Sequence, residues 1–399
     1  MSAETSSAPL DYVDSPAQLD YVPDAEPTWL RPVACQPVSA LRYSLGQGRY
    51  LPLAGGWTGF TELEVITRKP EIGLTKGGFT VWRTDIAGYK SASADKDFAE
   101  SRLSLLSQPR PDFAGMDMAR PHIMGVVNIT PDSFSDGGQF DSFDGALTHA
   151  LQMQADGATL LDIGGESTRP GAAPVSLAEE QSRILPVISA LAKKGHIISA
   201  DTRHAKVMDA AITAGAQIIN DVSGFTGEGA VQVMGQAFAA RPSAVFGIAM
   251  HMQGEPRNMQ DNPVYDFAPI DIYEVLKSHI DRLVDAGLPR SHIAIDPGFG
   301  FGKTPAHNRQ IIAWTSLFHG LGVPILMGVS RKSSIPVLAA EGLGAPPSGY
   351  GRDAGTQRLG GGIALCVLAA QQGAQLFRTH DVPETLQALS VVKGIINSG

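Results

Sequence analysis

Cysteine is scarce: the 399 residues hold two, Cys35 and Cys366. That excludes a disulfide-stapled scaffold, and Cys366 lies in an apolar run where a buried thiol is the expected state. Basic residues are also short, 31 Lys and Arg against 40 Asp and Glu, for a net charge of −9. A general nucleic-acid surface needs a concentrated positive face, so no nucleic-acid partner is expected. No uninterrupted apolar stretch is long enough to span a bilayer, so no membrane partner is expected either. The opening residues, MSAETSSAPLDYVD, lack the positive start and apolar centre of a signal peptide. With few cysteines as well, a reducing cytoplasm is the expected location.

What is present suffices for a large core. The apolar fraction is 43%, and the length accommodates one large domain with an appendage. Residues 1–30, rich in Ser, Ala, Pro and Asp, read as a flexible tail. Residues 31–120 read as a small β-rich N-terminal extension of unknown role, with strand-like runs at Glu62 to Thr67 and Phe79 to Arg83. A charged helix and a Pro-containing linker, Gln108 to Arg120, follow.

Over 121–399 the texture changes. Strands are expected at Ile123–Val127, Thr159–Ile163, Ile197–Ala200, Gln217–Asn220, Ala244–Met250, Ile293–Ile295, Pro324–Val329 and Gln375–Arg378. Helical patterns alternate with them: Ser142–Ala155, Leu177–Lys193, Ala205–Ala214, Ala230–Ala239, Ile272–Ala286, Ala306–Leu317, a split region from Ser333 to Gln372, and Glu384–Ile396. Several of these helices end at a Gly before the next strand, the pattern of a left-handed C-cap. Eight strand–helix repeats indicate a TIM (β/α)8 barrel; an open doubly wound sheet is the structural alternative.

The chemistry of such a barrel sits where its strands end. The residues expected there are Asn128, Glu166, Asp201, Asn220 with Asp221, His251, Asp296, Ser330-Arg331-Lys332, and Arg378 with His380. Any one of them has a bland explanation: Asp201 or Asp296 as a helix N-cap, His251 as a hydrogen-bonded structural residue. Eight polar exits around one mouth point to a functional pocket. Asp201, Asn220, Asp296 and Lys332 suit a flat, donor-rich heterocycle, because carboxylates pair with adjacent N–H donors and Lys donates to ring acceptors. Asn128, Arg378 and His380 come from the first and last strands, neighbours in a closed barrel, and suit a phosphate group. Asn128 also offers an oxygen to Mg²⁺.

Two loops, Asn128 to Gly138 and Glu166 to Ala172, combine Gly hinges with aromatic or charged residues and could close over a ligand. The run from Gly298 to Thr304 imitates a nucleotide phosphate loop, but Pro297 stands where that loop requires Gly. Its glycines are read instead as letting backbone approach a flat ligand, with Phe299 or Phe301 at its face.

These motifs resemble dihydropteroate synthase. The resemblance rests on Met124–Asn128 with its loop, Asp162 to Gly171, Met250 to Gly254, Asp296 to Lys303, Ser330 to Ser333 and Arg378 to Val382, in one order along 121–399. It implies a homodimeric barrel enzyme of folate biosynthesis that joins p-aminobenzoate to a pterin methyl diphosphate, with sulfonamides as p-aminobenzoate mimics. It implies that Asp201, Asn220, Asp296 and Lys332 hold the pterin and that Asn128 is the Mg²⁺-linked position. Thr168, Arg378 and His380 would contact the diphosphate substrate. Phe134, Arg169, Pro170 and Ser333 would form the p-aminobenzoate pocket, with Phe299 a further substrate contact. Asn128, Arg169, Lys332, Arg378 and His380 would act at the reacting end. Gly360-Gly361-Gly362 and the long Gly342–Thr356 stretch depart from the usual pattern and fall between strands seven and eight, not on these contacts. A pterin-dependent methyltransferase and a non-catalytic pterin-binding paralogue are the competing readings; neither needs both loops together with Arg378-Thr379-His380.

Overall fold

A computed structural model describes residues 10–19, 28–41, 49–69, 78–129, 142–167, 175–344 and 358–396. The chain begins with β1 (Leu10–Val13), β2 (Thr28–Val33), β3 (Gln36–Pro37), α1 (Val38–Leu41), β4 (Leu51–Pro52), β5 (Thr58–Phe60), β6 (Glu62–Arg68) and β7 (Phe79–Asp85). Two helices follow, α2 (Ile86–Ala92) and α3 (Lys96–Ser107), each entered through an aspartate N-cap: Asp85 accepts from Gly88 N and Asp95 from Phe98 N. Four strands form a sheet in the order β1-β7-β6-β2, and β3-β5-β4 form a smaller one. Parts of the stretch expected as a flexible tail, residues 1–30, lie in these sheets. Leu10–Val13 pairs in parallel with Phe79–Trp82, and β2 starts at Thr28. Strand pairing distant in sequence, not local composition, places Leu10–Val13 and β2.

The barrel is built from β8 (His122–Asn128), β9 (Leu160–Gly164), β10 (Ile197–Asp201), β11 (Ile218–Asp221), β12 (Phe246–Met250), β13 (Ile293–Asp296), β14 (Leu326–Met327) and β15 (Leu376–Thr379). All neighbours are parallel, in the order β13-β12-β11-β10-β9-β8-β15-β14, and a bridge from Ile295 to Ile325 closes the ring. The strands read as nearly continuous apolar runs because both faces are covered. Around them stand α4 (Ser142–Ala155), α5 (Leu177–Ala192), α6 (Ala205–Ala214), α7 (Ala230–Ala240), α8 (Ala268–Asp285), α9 (Pro305–Ala313), α10 (Ser334–Leu343), α11 (Leu359–Gln371) and α12 (Val382–Ile396). The N-terminal end of the barrel is plugged. Phe113, Met116 and Met118 are buried against Met124, Leu160, Ile218, Phe246, Leu326 and Leu376, most of them at strand starts. The opposite, C-terminal end is left for chemistry.

Local signals explain most boundaries. Gly215 caps α6 at φ 114°, a conformation other residues resist. Thr304 accepts from His307 N, with Pro305 first in α9. Helix α8 starts four residues before the expected Ile272, because the Asp271 carboxylate accepts from the backbone N–H of Asp266 at 2.6 Å and Phe267 at 3.2 Å. The helix expected over Ala306–Leu317 breaks after Ala313 into a 3-10 turn, Thr315–Leu321. Strand seven is shorter than expected, because Gly328 and Val329 leave the ladder to carry the turn at Ser330.

Candidate active site

Asn128, Asp201, Asp221 and Asp296 are the last residues of β8, β10, β11 and β13, and His251 follows β12 directly. The sequence thus brings its polar exits to one rim, and their hydrogen bonds converge on a residue not singled out as a site, Asp162. This carboxylate, inside β9 and 1% exposed, accepts from Ser199 Oγ at 2.6 Å, Asn220 Nδ2 at 3.2 Å and Arg378 Nε at 2.6 Å. Arg378 Nη2 then donates to Asp201 Oδ2 at 2.7 Å. One acid therefore orients both the amide of Asn220 and the guanidinium of Arg378. Its signal in the sequence was a charged residue within an otherwise apolar strand, which is rarely buried without partners.

The site's electrostatics follow from this crowding. Burial pushes the Asp201 carboxyl well above the usual range, the nearby Asp162 adds to the shift, and Arg378 opposes it. Burial raises Asp296 too, against the Gly298 N–H that donates to its Oδ1 at 2.7 Å. Burial would lower Arg378, but the carboxylates of Asp162 and Asp201 outweigh it and hold the guanidinium above its ordinary value. Lys332 is brought down to about 8 by burial and by Arg378. His380 is brought down to about 3 by burial and by Arg378 and Arg331, so its ring is neutral near pH 7; its Nδ1 lies 3.2 Å from Ser330 Oγ. Between them, Arg331 holds a left-handed backbone at φ 57°, a strained conformation for a bulky residue, and pairs with Asp381 at 2.5 Å.

The glycine run after Asp296 packs backbone on backbone. A Cβ on Gly298 would meet His251 O at 1.9 Å, and one on Gly302 would meet Gln253 O at 2.5 Å. Lys303 is no phosphate ligand here. It is 2% exposed and donates to Phe301 O at 2.8 Å and His251 O at 3.3 Å, with His251 Nδ1 at 2.9 Å. Burial and the charge of Lys303 hold His251 well below its ordinary pKa, and burial lowers Lys303 as well. The two phenylalanines separate. Phe299, expected as a substrate contact, is 1% exposed and packs in the barrel's core. Phe301 joins Val222, Met250 and Met259, and the Lys332 ammonium sits 3.9 Å from its ring centre.

Ser333 lies exposed at the start of α10. Phe134, Thr168, Arg169 and Pro170 fall outside the described residues. The stem of the second loop is described: Glu166 pairs with Arg203 at 3.0 Å. Asn128 Oδ1 and Asp201 Oδ2 each lie 3.6 Å from the position of a Cβ on Gly164, so both face the mouth. Among the described residues no three His, Cys, Asp or Glu side chains form a metal cage. A single amide oxygen fits Mg²⁺, which keeps waters and prefers substrate phosphates to an all-protein site.

Comparison with known proteins gives the family. Residues 124–380 match the family described as pterin binding enzyme. The dihydropteroate synthase of Escherichia coli K12 is 42% identical over 286 residues, covering 71% of this chain and 94% of that protein. Among solved structures, Xanthomonas albilineans dihydropteroate synthase with 4-aminobenzoic acid aligns at a TM-score of 0.65 and 41% identity, covering 73% of this chain and 99% of that one. Yersinia pestis dihydropteroate synthase in a sulfonamide drug complex aligns at a TM-score of 0.62 and 44% identity, covering 70% and 96%. This chain, with its plugged barrel and its Asp162-centred rim, belongs to the pterin-binding enzymes and, among them, to the dihydropteroate synthases.

Proposed function

We propose that the enzyme condenses (7,8-dihydropterin-6-yl)methyl diphosphate with p-aminobenzoate, giving 7,8-dihydropteroate and diphosphate in folate biosynthesis. The observation that carries this reading is the convergence of Asp201, Asn220, Asp296, Lys332 and Arg378 at one barrel mouth, in a chain 42% identical to a dihydropteroate synthase.

Asp201 and Asp296 accept from the amino-pyrimidinone edge of the pterin, Asn220 supplies an amide, and Lys332 donates to the ring's acceptors. Phe301 supplies an apolar face. The aniline nitrogen of p-aminobenzoate attacks the pterin methylene carbon; the C–O bond breaks, diphosphate leaves with the electron pair, and the nitrogen loses a proton. Charge accumulates on the departing oxygen, so the barrier falls when cationic and N–H groups are already placed there. Arg378, His380 and Thr168 serve that end, and Arg169, Phe134, Pro170 and Ser333 hold p-aminobenzoate. Mg²⁺ held through Asn128 would neutralise diphosphate charge when bound. No nucleophilic Ser or Cys is required, and the buried Cys366 thiol is pushed up to about 12 by burial.

The working form is a homodimer in the cytoplasm. For the dimer, the support is apolar side chains left exposed on adjacent α11 and α12: Leu368, Leu386, Val391 and Ile395. For the location, no helix among the described residues is long and apolar enough to cross a membrane.

Purified protein given synthetic pterin methyl diphosphate, p-aminobenzoate and Mg²⁺ should release diphosphate, and should release little when either substrate is withheld. No release with both substrates present would overturn the assignment.

A further inference from the structure

The extension is fastened to the barrel by specific groups. Trp29 Nε1 donates to Glu274 at 2.7 Å, Trp57 Nε1 to Ala370 O at 2.8 Å and Ser316 Oγ to Pro32 O at 2.7 Å. The Arg31 guanidinium lies 4.1 Å above the Trp314 ring. These contacts attach the extension to the barrel's flank. One contact of the same patch, 6.0 Å from the Trp29 ring, extends toward the strand exits. At the end of β6, Arg68 reaches Asp266 at 3.4 Å and Asp271 at 3.7 Å, with its guanidinium 4.8 Å from the Phe79 ring centre. Phe79 itself packs on Phe267 at 6.0 Å. Asp266 and Phe267 end the loop that runs from β12 to α8 on the active-site side of the barrel.

That loop holds the glycine run. Tyr265 donates its hydroxyl to Gly302 O at 2.8 Å, Gln260 donates to Gly300 O at 2.9 Å, and Met259 shares an apolar cluster with Phe301. Phe301 in turn seats the Lys332 ammonium. We propose that the extension is part of the pterin-binding apparatus, with Arg68 a positioning residue that fixes the 251–267 loop and, through it, Phe301 and Lys332. The proposal rests on the dihydropteroate synthase reading of the site.

The ion pairs are a quarter to a third exposed, so each is individually modest. In the full-length enzyme, Arg68→Ala is expected to raise the KM for pterin methyl diphosphate by about three- to tenfold, leaving kcat and the KM for p-aminobenzoate near wild type. Arg68→Lys should recover part of the loss. Arg83→Ala is the control: it removes the Glu62 ion pair at the other end of the same two strands and should leave the pterin KM unchanged. Direct titration of each variant with a pterin lacking the diphosphate should show the same ranking. The proposal is overturned if Arg68→Ala matches Arg83→Ala, or if all its kinetic parameters and its thermal midpoint fall together. A wild-type enzyme with neither turnover nor pterin affinity would sink the functional reading, and this proposal with it. Normal wild-type turnover with an unaffected Arg68→Ala sinks this proposal alone.

Discussion

Arg378 of β15 donates to Asp201 of β10 at 2.7 Å, reaching across β8 and β9, while Asp162 holds the guanidinium Nε at 2.6 Å. The cation assigned to the leaving group and the carboxylate assigned to the pterin are thus already joined.

Asp201 is the point at which this is most easily probed. Asp201→Ala removes a charge-assisted hydrogen bond worth about 1.5–3 kcal/mol, or roughly ten- to a hundredfold in pterin affinity. Calorimetric titration of the folded variant measures it. Wild-type affinity would remove Asp201 from the pterin site.

Glu180 gives a stability test independent of substrate. It lies in α5, fully buried, and neither carboxylate oxygen has a hydrogen-bond partner of normal geometry among the described residues. Burial pushes it up to about 7 from an ordinary 4.5, against a pull from the Thr202 side chain. The folded protein therefore keeps a proton that the unfolded chain has lost, so stability falls as pH rises from 4.5 to about 7 and stays lower above that. Glu180→Gln cannot lose this proton. It should be more stable than wild type at alkaline pH by on the order of 3 kcal/mol, with the gap closing toward acid. Denaturant titrations across that range that show a constant gap would contradict the account.

The exposed side chains of α11 and α12 make the dimer testable. Wild-type protein should sediment as a dimer at micromolar concentration, and joint Val391→Asp and Ile395→Asp substitution should give a folded monomer. A monomeric wild type would refute the proposal, and an undisturbed dimer would move the interface elsewhere.

Sulfonamides should compete with p-aminobenzoate, raising its KM while leaving kcat unchanged. Inhibition that p-aminobenzoate cannot relieve would place the drug outside the assigned pocket.

The barrel was legible because its signals are local. Eight apolar runs alternate with amphipathic stretches, and Gly215 follows α6 where a cap must be left-handed. The rim residues were legible because they sit at strand ends. What escaped depends on contacts distant in sequence. The pairing of Leu10–Val13 with β7 lies beyond any local pattern. That Phe301, not Phe299, lies against Lys332 depends on packing between two loops. Asp162 resembled one more strand residue until Ser199, Asn220 and Arg378 were seen to share it. The role of Arg68 depends on Asp266, almost two hundred residues away.

The central claim is that a carbon–nitrogen bond forms between the two substrates at this mouth. Isotope-labelled p-aminobenzoate, incubated with enzyme, Mg²⁺ and pterin methyl diphosphate, should appear in one product containing both ring systems. Each molecule of that product should accompany one diphosphate, as read by mass spectrometry beside a diphosphate assay. Diphosphate accompanied only by the pterin alcohol, with the label still in free p-aminobenzoate, would show hydrolysis instead of condensation and would contradict the account.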